Sequence, residues 1–332
     1  VHRGAGADDG DDDGDDDGDD DGDDNRDDDN RDDGNGDDGD GAMIAIVVLH
    51  VLASAFVAPR ADVVDAMVAV PTTGDLATRL EVVTRPFLGA PYVLSPLGEG
   101  AGQLPDADPR LRLDAFDCTT FVETALALAV SSSMNETERH LDQIRYRGAP
   151  SFAARRHFPE AEWIPELVAA GLLRDITRDV AGADVTVERK DLSPRVWRKA
   201  RHKGLPDLAD SRIPDGTFTL DVWPLEKAAA HPERIPPGTV LHVVRADFSS
   251  VPVRVSHQGL VLDVDGHRVL RHAADRLHHR VVDEPLDRFF ERMKHYGKWP
   301  VTGVHLTRVV ADPGWAERLN AAPPSPAGAP TP

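Results

Sequence analysis

Cysteine is almost absent from this chain. Among 332 residues there is one, Cys118. A lone thiol excludes an internal disulfide, and the sequence has neither a paired Cys-x-x-Cys nor a His-Glu-x-x-His, so the familiar zinc frameworks are excluded too. The nearest approach to a ligand set is His272, His278 and His279 with Asp275, whose spacing fits no zinc pattern. No metal and no organic cofactor is therefore expected. There is no repeat of solenoid period. Basic residues cluster only in RVWRKARHKG, with one Trp and no nucleic-acid motif, so nucleic acid is not an expected partner. Long apolar runs are missing as well. The longest, AMIAIVVLHVLASAFVA at 42–58, is interrupted by His50 and Ser54 and is short for a membrane span.

Acidity is abundant, but it is confined to one end. Residues 1–41 hold 21 Asp, no Glu and 3 Arg, hence −18 of the chain's net −21, which leaves −3 for the remainder. A segment without apolar side chains cannot offset its ordering entropy, so 1–41 reads as a disordered acidic leader, with Met43 as an alternative start. Its Asp-rich rhythm lacks the spaced end carboxylate and flanking helices of a calcium loop. In the apolar segment 42–58, Ala53-Ser54-Ala55 meets the small-residue rule of a signal-peptidase site. Export is the reading, with no stable membrane span after processing; a buried strand or helix is the alternative. The expected layout continues with a linker at 59–75, one catalytic domain at 76–312 and a disordered Pro/Ala-rich tail at 313–332. About 270 residues remain for folding, enough for one sizeable domain.

A thiol in an oxidising compartment is a liability unless it is buried or works. From Thr119 onward, Phe121, Val122, Ala125, Leu126 and Ala129 recur at helical spacing. Asp117 is a suitable N-cap and places Cys118 in the first turn. Unpaired N–H groups and the positive end of the helix dipole lie there, which favours thiolate over thiol and offers donors to an oxyanion.

A nucleophile of this kind needs a base. Residues 253–274 read as a β-hairpin turning at Asp265-Gly266. If Val264 pairs with His267, His257 faces Ala274 and His272 faces Gly259. The two imidazoles then project from one side as diagonal neighbours, one able to take the thiol proton and the other to fix its tautomer. Two strand histidines with separate structural hydrogen bonds are the alternative.

Four segments in register resemble a known family. DCTTFVETALAL, LGAPYVLSPLGEG at 88–100, RRHFPEAEWIPELVAAGLLRDIT at 155–177 and VSHQGLVLDVDGHRVLRHAA are similar to the DUF1460 family, an N-acetylmuramoyl-L-alanine amidase-like branch of the NlpC/P60, papain-related cell-wall hydrolases. The resemblance implies an α+β, papain-like fold whose antiparallel sheet is packed by the nucleophile helix. It implies Cys118 as nucleophile, His257 as general base and His272 as the orienting third residue. Tyr92 would stand near the thiol or oxyanion. Thr119 and Ser256 are the further candidates on the substrate side, although Ser256 is better placed to secure its strand. The implied partner is peptidoglycan or a muropeptide, cut between N-acetylmuramic acid and L-Ala. A stem-peptide endopeptidase or a thiol acyltransferase would use the same residues; a silent wall-binding domain would lack them. Arg155 and Arg156 are available to an acidic peptide stem, and residues 184–204 fit the family pattern least well.

Overall fold

Val240, Leu241, Val243 and Val244 are all shielded from solvent. A strand that is apolar on both faces must be covered on both, and the architecture follows from that need. The computed structural model describes residues 56–70, 75–200, 208–249, 251–276 and 278–321. The strands are β1 (Leu173–Asp175), β2 (Thr186–Leu192), β3 (Gly216–Pro224), β4 (Thr239–Arg245), β5 (Val255–Val264), β6 (His267–Ala274), β7 (Arg280–Pro285) and β8 (Val301–Val309). They form an antiparallel eight-stranded sheet in the order β2-β3-β8-β4-β5-β6-β7, with β1 paired to β8. The helices are α1 (Ala61–Ala69), α2 (Leu76–Thr84), α3 (Cys118–Ala129), α4 (Met134–Arg145), α5 (Ile164–Ala170), α6 (Thr177–Ala181), α7 (Pro194–Ala200), α8 (Leu225–Ala230), α9 (Leu286–Met293) and α10 (Trp315–Asn320).

Residues alternate between two cores, as a pleated strand requires. Leu260, Leu262, Val269 and Ala273 face a core built with α2 and α3, while Val261 and Leu270 face one built with Leu225, Phe289 and Phe290 of α8 and α9. The chain is thus α+β, with helices on both sides of the sheet. Among the described residues no helix is long and apolar enough to cross a membrane.

Helix α3 is central rather than amphipathic, being buried from Thr120 to Ala129. Its one acid, Glu123, is 4 % exposed; it pairs with the equally buried Arg145 of α4 and accepts the Trp163 indole N–H at 3.0 Å. Arg155 and Arg156 are also spent inside the protein, on Glu99 and Asp106 and on Glu166, so they are not free to meet a peptide stem.

Two boundary expectations are corrected. The expected linker 59–75 contains α1, because Val64 and Val68, one turn apart, bury completely against the core. The expected disordered tail from 313 contains α10, because Trp315 and Leu319 are buried against the core. The acidic leader, the apolar segment up to residue 55 and the tail from 322 lie outside the described residues. Of residues 184–204, the described part up to 200 supplies β2 and α7, where Leu192 and Trp197 build a small separate cluster with Phe158. Replacing Arg145 by Met strands the Glu123 charge in the core. Urea unfolding should show a loss of about 3–5 kcal/mol, and a loss below ~1 kcal/mol would mean that the pair is not the lock described.

Candidate active site

Cys118 opens α3 behind a capping box. The Asp117 carboxylate accepts the Thr120 N–H at 2.7 Å, and Thr120 Oγ1 accepts the Asp117 N–H at 3.0 Å. The other Asp117 oxygen accepts the Ser95 N–H at 3.0 Å, which ties the preceding loop to the helix start. That loop is laced between a bridge from Tyr92 to Phe116 and a bond from the Tyr92 N–H to the His279 carbonyl at 2.8 Å. Tyr92 is thereby tied to the segment that leads into Cys118. Burial, followed by the charges of Cys118 and Asp117, pushes its hydroxyl above the ordinary range, so it remains a neutral donor.

Desolvation opposes the thiolate that the helix N-terminus favours. Burial first, then the Asp117 carboxylate, push the Cys118 thiol up to about 12, against the backbone N–H groups of Gln258 and Thr119 and the Thr119 hydroxyl, which is 4.0 Å away. A helix end contributes about 0.3–1 kcal/mol, less than one pKa unit. Desolvation therefore outweighs it.

The hairpin has the anticipated register. Val264 pairs with His267, and the ladder runs to Leu260 opposite Arg271. Asp265 and Gly266 take φ of 51° and 79°, the left-handed pair of a type I′ turn. Beyond the ladder, His257 Nε2 lies 2.7 Å from His272 Nδ1, with the rings at 82°. A Cβ added at Gly259 would come within 2.9 Å of His272 Cβ, so the bare backbone there gives the ring its room. Both rings pack on Phe289 of α9, on the face opposite α3. Thiol and imidazoles thus come from opposite sides of the sheet. The Gln258 backbone, one residue beyond His257, lies close to the Cys118 sulphur.

Glu284 is the residue that sequence reasoning missed. It sits on β7 opposite Leu270, accepts from His272 Nε2 at 3.1 Å, and is clamped by Arg292 at 2.6 and 2.9 Å. Burial alone would raise it, but His272 and Arg292 hold it at about 2, so it is ionised. Burial keeps both histidines below their ordinary value and neutral. The tautomers then follow. An ionised carboxylate only accepts, so His272 carries its proton on Nε2 and must accept at Nδ1. His257 therefore donates from Nε2, and its Nδ1 is left as the basic atom. Ser256 is directed elsewhere, with its hydroxyl accepting from Arg245 Nε at 2.8 Å.

A model of the AmiA-like, N-acetylmuramoyl-L-alanine amidase-like family matches residues 82–297. Among solved structures, a Legionella pneumophila protein assigned to DUF1460 superposes with a TM-score of 0.65 at 21 % identity, covering 75 % of this chain and 94 % of that one. An N-acetylmuramoyl-L-alanine amidase of Bacteroides uniformis gives 0.56 at 24 % identity, covering 71 % and 99 %. A putative xylanase of Bacteroides fragilis gives 0.52 at 24 %, covering 71 % and 100 %. These likenesses speak for the fold. No curated protein matches the chain.

Buried neutral histidines make stability depend on pH. Burial holds His140, His157, His242, His257 and His272 below the ordinary value. Unfolding below about pH 6.5 therefore takes up protons that the folded state refuses. This stability is complete above about pH 6.5 and is lost as pH falls. The raised thiol acts in the other direction: its contribution is present below about pH 8.5 and lost as pH rises through the folded value. The urea midpoint should be level between about pH 7 and 8 and fall steeply on the acid side; a midpoint unchanged down to about pH 5 would contradict this. Iodoacetamide should alkylate folded Cys118 slowly up to about pH 9, whereas a rate already saturated at neutral pH would reveal a thiolate.

Proposed function

Because the chain belongs to the N-acetylmuramoyl-L-alanine amidase-like family, we propose that it hydrolyses the amide between N-acetylmuramic acid and L-Ala in peptidoglycan fragments, with Cys118 as nucleophile. The observation that carries this reading is the line Arg292–Glu284–His272–His257, which ends one residue before Gln258, whose backbone lies near the Cys118 sulphur. We read the arrangement as a papain-like core of NlpC/P60 type, and the protein as exported to where such fragments occur.

The resting pair is a neutral thiol and a neutral imidazole, so attack and proton transfer go together. As Cys118 Sγ bonds to the lactyl carbonyl carbon, His257 Nδ1 takes the thiol proton. The oxyanion is held by the Cys118 N–H, which precedes the first intrahelical acceptor, and by the Tyr92 hydroxyl. The imidazolium charge is spread toward ionised Glu284 through His272. His257 then protonates the departing nitrogen of L-Ala, leaving a thioester. Water, deprotonated by His257, releases the muramic carboxylate and restores the thiol. Thr119 and its N–H hold the sulphur from the helix side.

Defined muropeptides analysed by mass spectrometry test both the bond and the nucleophile. The expected product is an intact stem beginning at L-Ala, formed by the parent and reduced at least about 10³-fold in Cys118→Ala. Shortened stems would move the cut to the bond between D-Glu and the diamino acid, and equal cleavage by both proteins would remove Cys118 from the mechanism. Glu284→Gln offers His272 a partner that can donate or accept, so the tautomer is no longer imposed. We expect kcat to fall about 10²-fold or more with KM little changed; an unaltered kcat would make Glu284 merely structural.

A further inference from the structure

A cavity of about 600 Å³ opens on the histidine side of the sheet, between His257 and His272 at one end and the loop after α9 at the other. Its lining is one-sided in charge, with Arg245, Arg276, Arg292 and Lys298 against a single carboxylate, Asp275. Arg292 is committed to Glu284, while Arg276 and Lys298 extend into solvent. Arg245 is different. It is only 9 % exposed, and among the described residues the oxygens around it are neutral: Ser256 Oγ at 2.8 Å, the Trp299 carbonyl at 2.5 Å and the Tyr296 hydroxyl. The Tyr296 and Trp299 rings lie 4.3 and 5.4 Å from the guanidinium carbon.

Of the other buried arginines of the described residues, Arg145, Arg156, Arg254 and Arg271 each have a carboxylate; Arg79, like Arg245, meets neutral oxygens, but it lies outside this cavity and four backbone carbonyls take up its donors. Ring faces offset part of the desolvation of Arg245 but leave its charge uncompensated. Its position is equally specific. Ser256, which it holds, is the extra residue of a β-bulge, since Val243 pairs with His257 and Val244 with Val255. The guanidinium is therefore fixed one residue from the proposed base, and its rigid fork matches a carboxylate in two-point contact.

We propose that Arg245 anchors a subsite for a free carboxylate carried by the substrate within one or two residues of the scissile amide. The position of that amide rests on the amidase reading; the carboxylate site itself does not. In a peptide stem the group is the α-carboxylate of D-Glu, and an extended peptide covers roughly 3.3–3.6 Å per residue, which sets its reach from the scissile amide beside His257.

The test is calorimetric. The Cys118→Ala protein is titrated with N-acetylmuramoyl-L-Ala-D-Glu and with its D-isoglutamine counterpart, which has an amide in place of the α-carboxylate. The free acid should bind about tenfold or more tightly. Adding Arg245→Met should abolish that preference, and Arg245→Lys, which keeps the charge without the fork, should weaken it. Absence of a preference, or a preference that survives Arg245→Met, overturns the proposal. Should the methionine variant not fold, an undiminished preference in Arg245→Lys does the same. Hydrolysis by the parent is scored separately. If it cleaves neither compound, the amidase reading falls, and the binding preference still decides the fate of the carboxylate site.

Discussion

The candidate site depends on the register of one hairpin. With Val264 paired to His267, His257 and His272 share a face and meet beyond the last ladder pair. A slip of one residue would send one imidazole to the α3 side and leave the other without its partner. The register is held from both ends. At the turn, Asp265 and Gly266 adopt the left-handed pair that suits the twist of the strands, and the Asp263 side chain accepts the Gly266 N–H at 3.1 Å. At the far end, Gly259 is the only residue type that leaves His272 its space.

Around that register, burial works against a charge on Cys118, His257 and His272. Glu284, ionised between Arg292 and His272, imposes the direction of each proton along the line. Asp117, fixed by two backbone N–H groups, shapes the start of α3 and also discourages ionisation of the thiol beside it. Structure and reactivity are therefore coupled through the same carboxylate. The capping role needs an acceptor, and a charged acceptor keeps the neighbouring sulphur protonated.

Local signals made much of this legible in the sequence. Asp265-Gly266 is a two-residue turn whose arithmetic fixes every pairing up to Leu260, so the contact between His257 and His272 could be placed from residue numbers alone. The cap at Asp117 and the start of α3 were equally local. What escaped reading depends on strands far apart in the chain. Glu284 lies in VVDEP, a short stretch with no periodic mark, and only its pairing with β6 brings it to His272. Arg245 closes TVLHVVR, which reads as buried strand, and nothing local reveals that its neighbours are neutral. The thiolate expectation weighed the helix end but not the desolvation that works against it, which only the packed fold makes visible. The linker and tail assignments failed where a few apolar residues, Val64, Val68, Trp315 and Leu319, find the core despite poor surroundings in sequence.

The protonated thiol has a consequence for durability. Peroxides and disulfides react with the sulphur anion, so a cysteine that ionises only when substrate displaces water and a proton moves is a poor target while idle. The chain has no second cysteine with which a sulfenic acid could condense and be rescued. On the proposed reading, a cysteine armed only by its substrate gives up some resting reactivity and, in exchange, keeps the chain's one sulphur of that kind reduced.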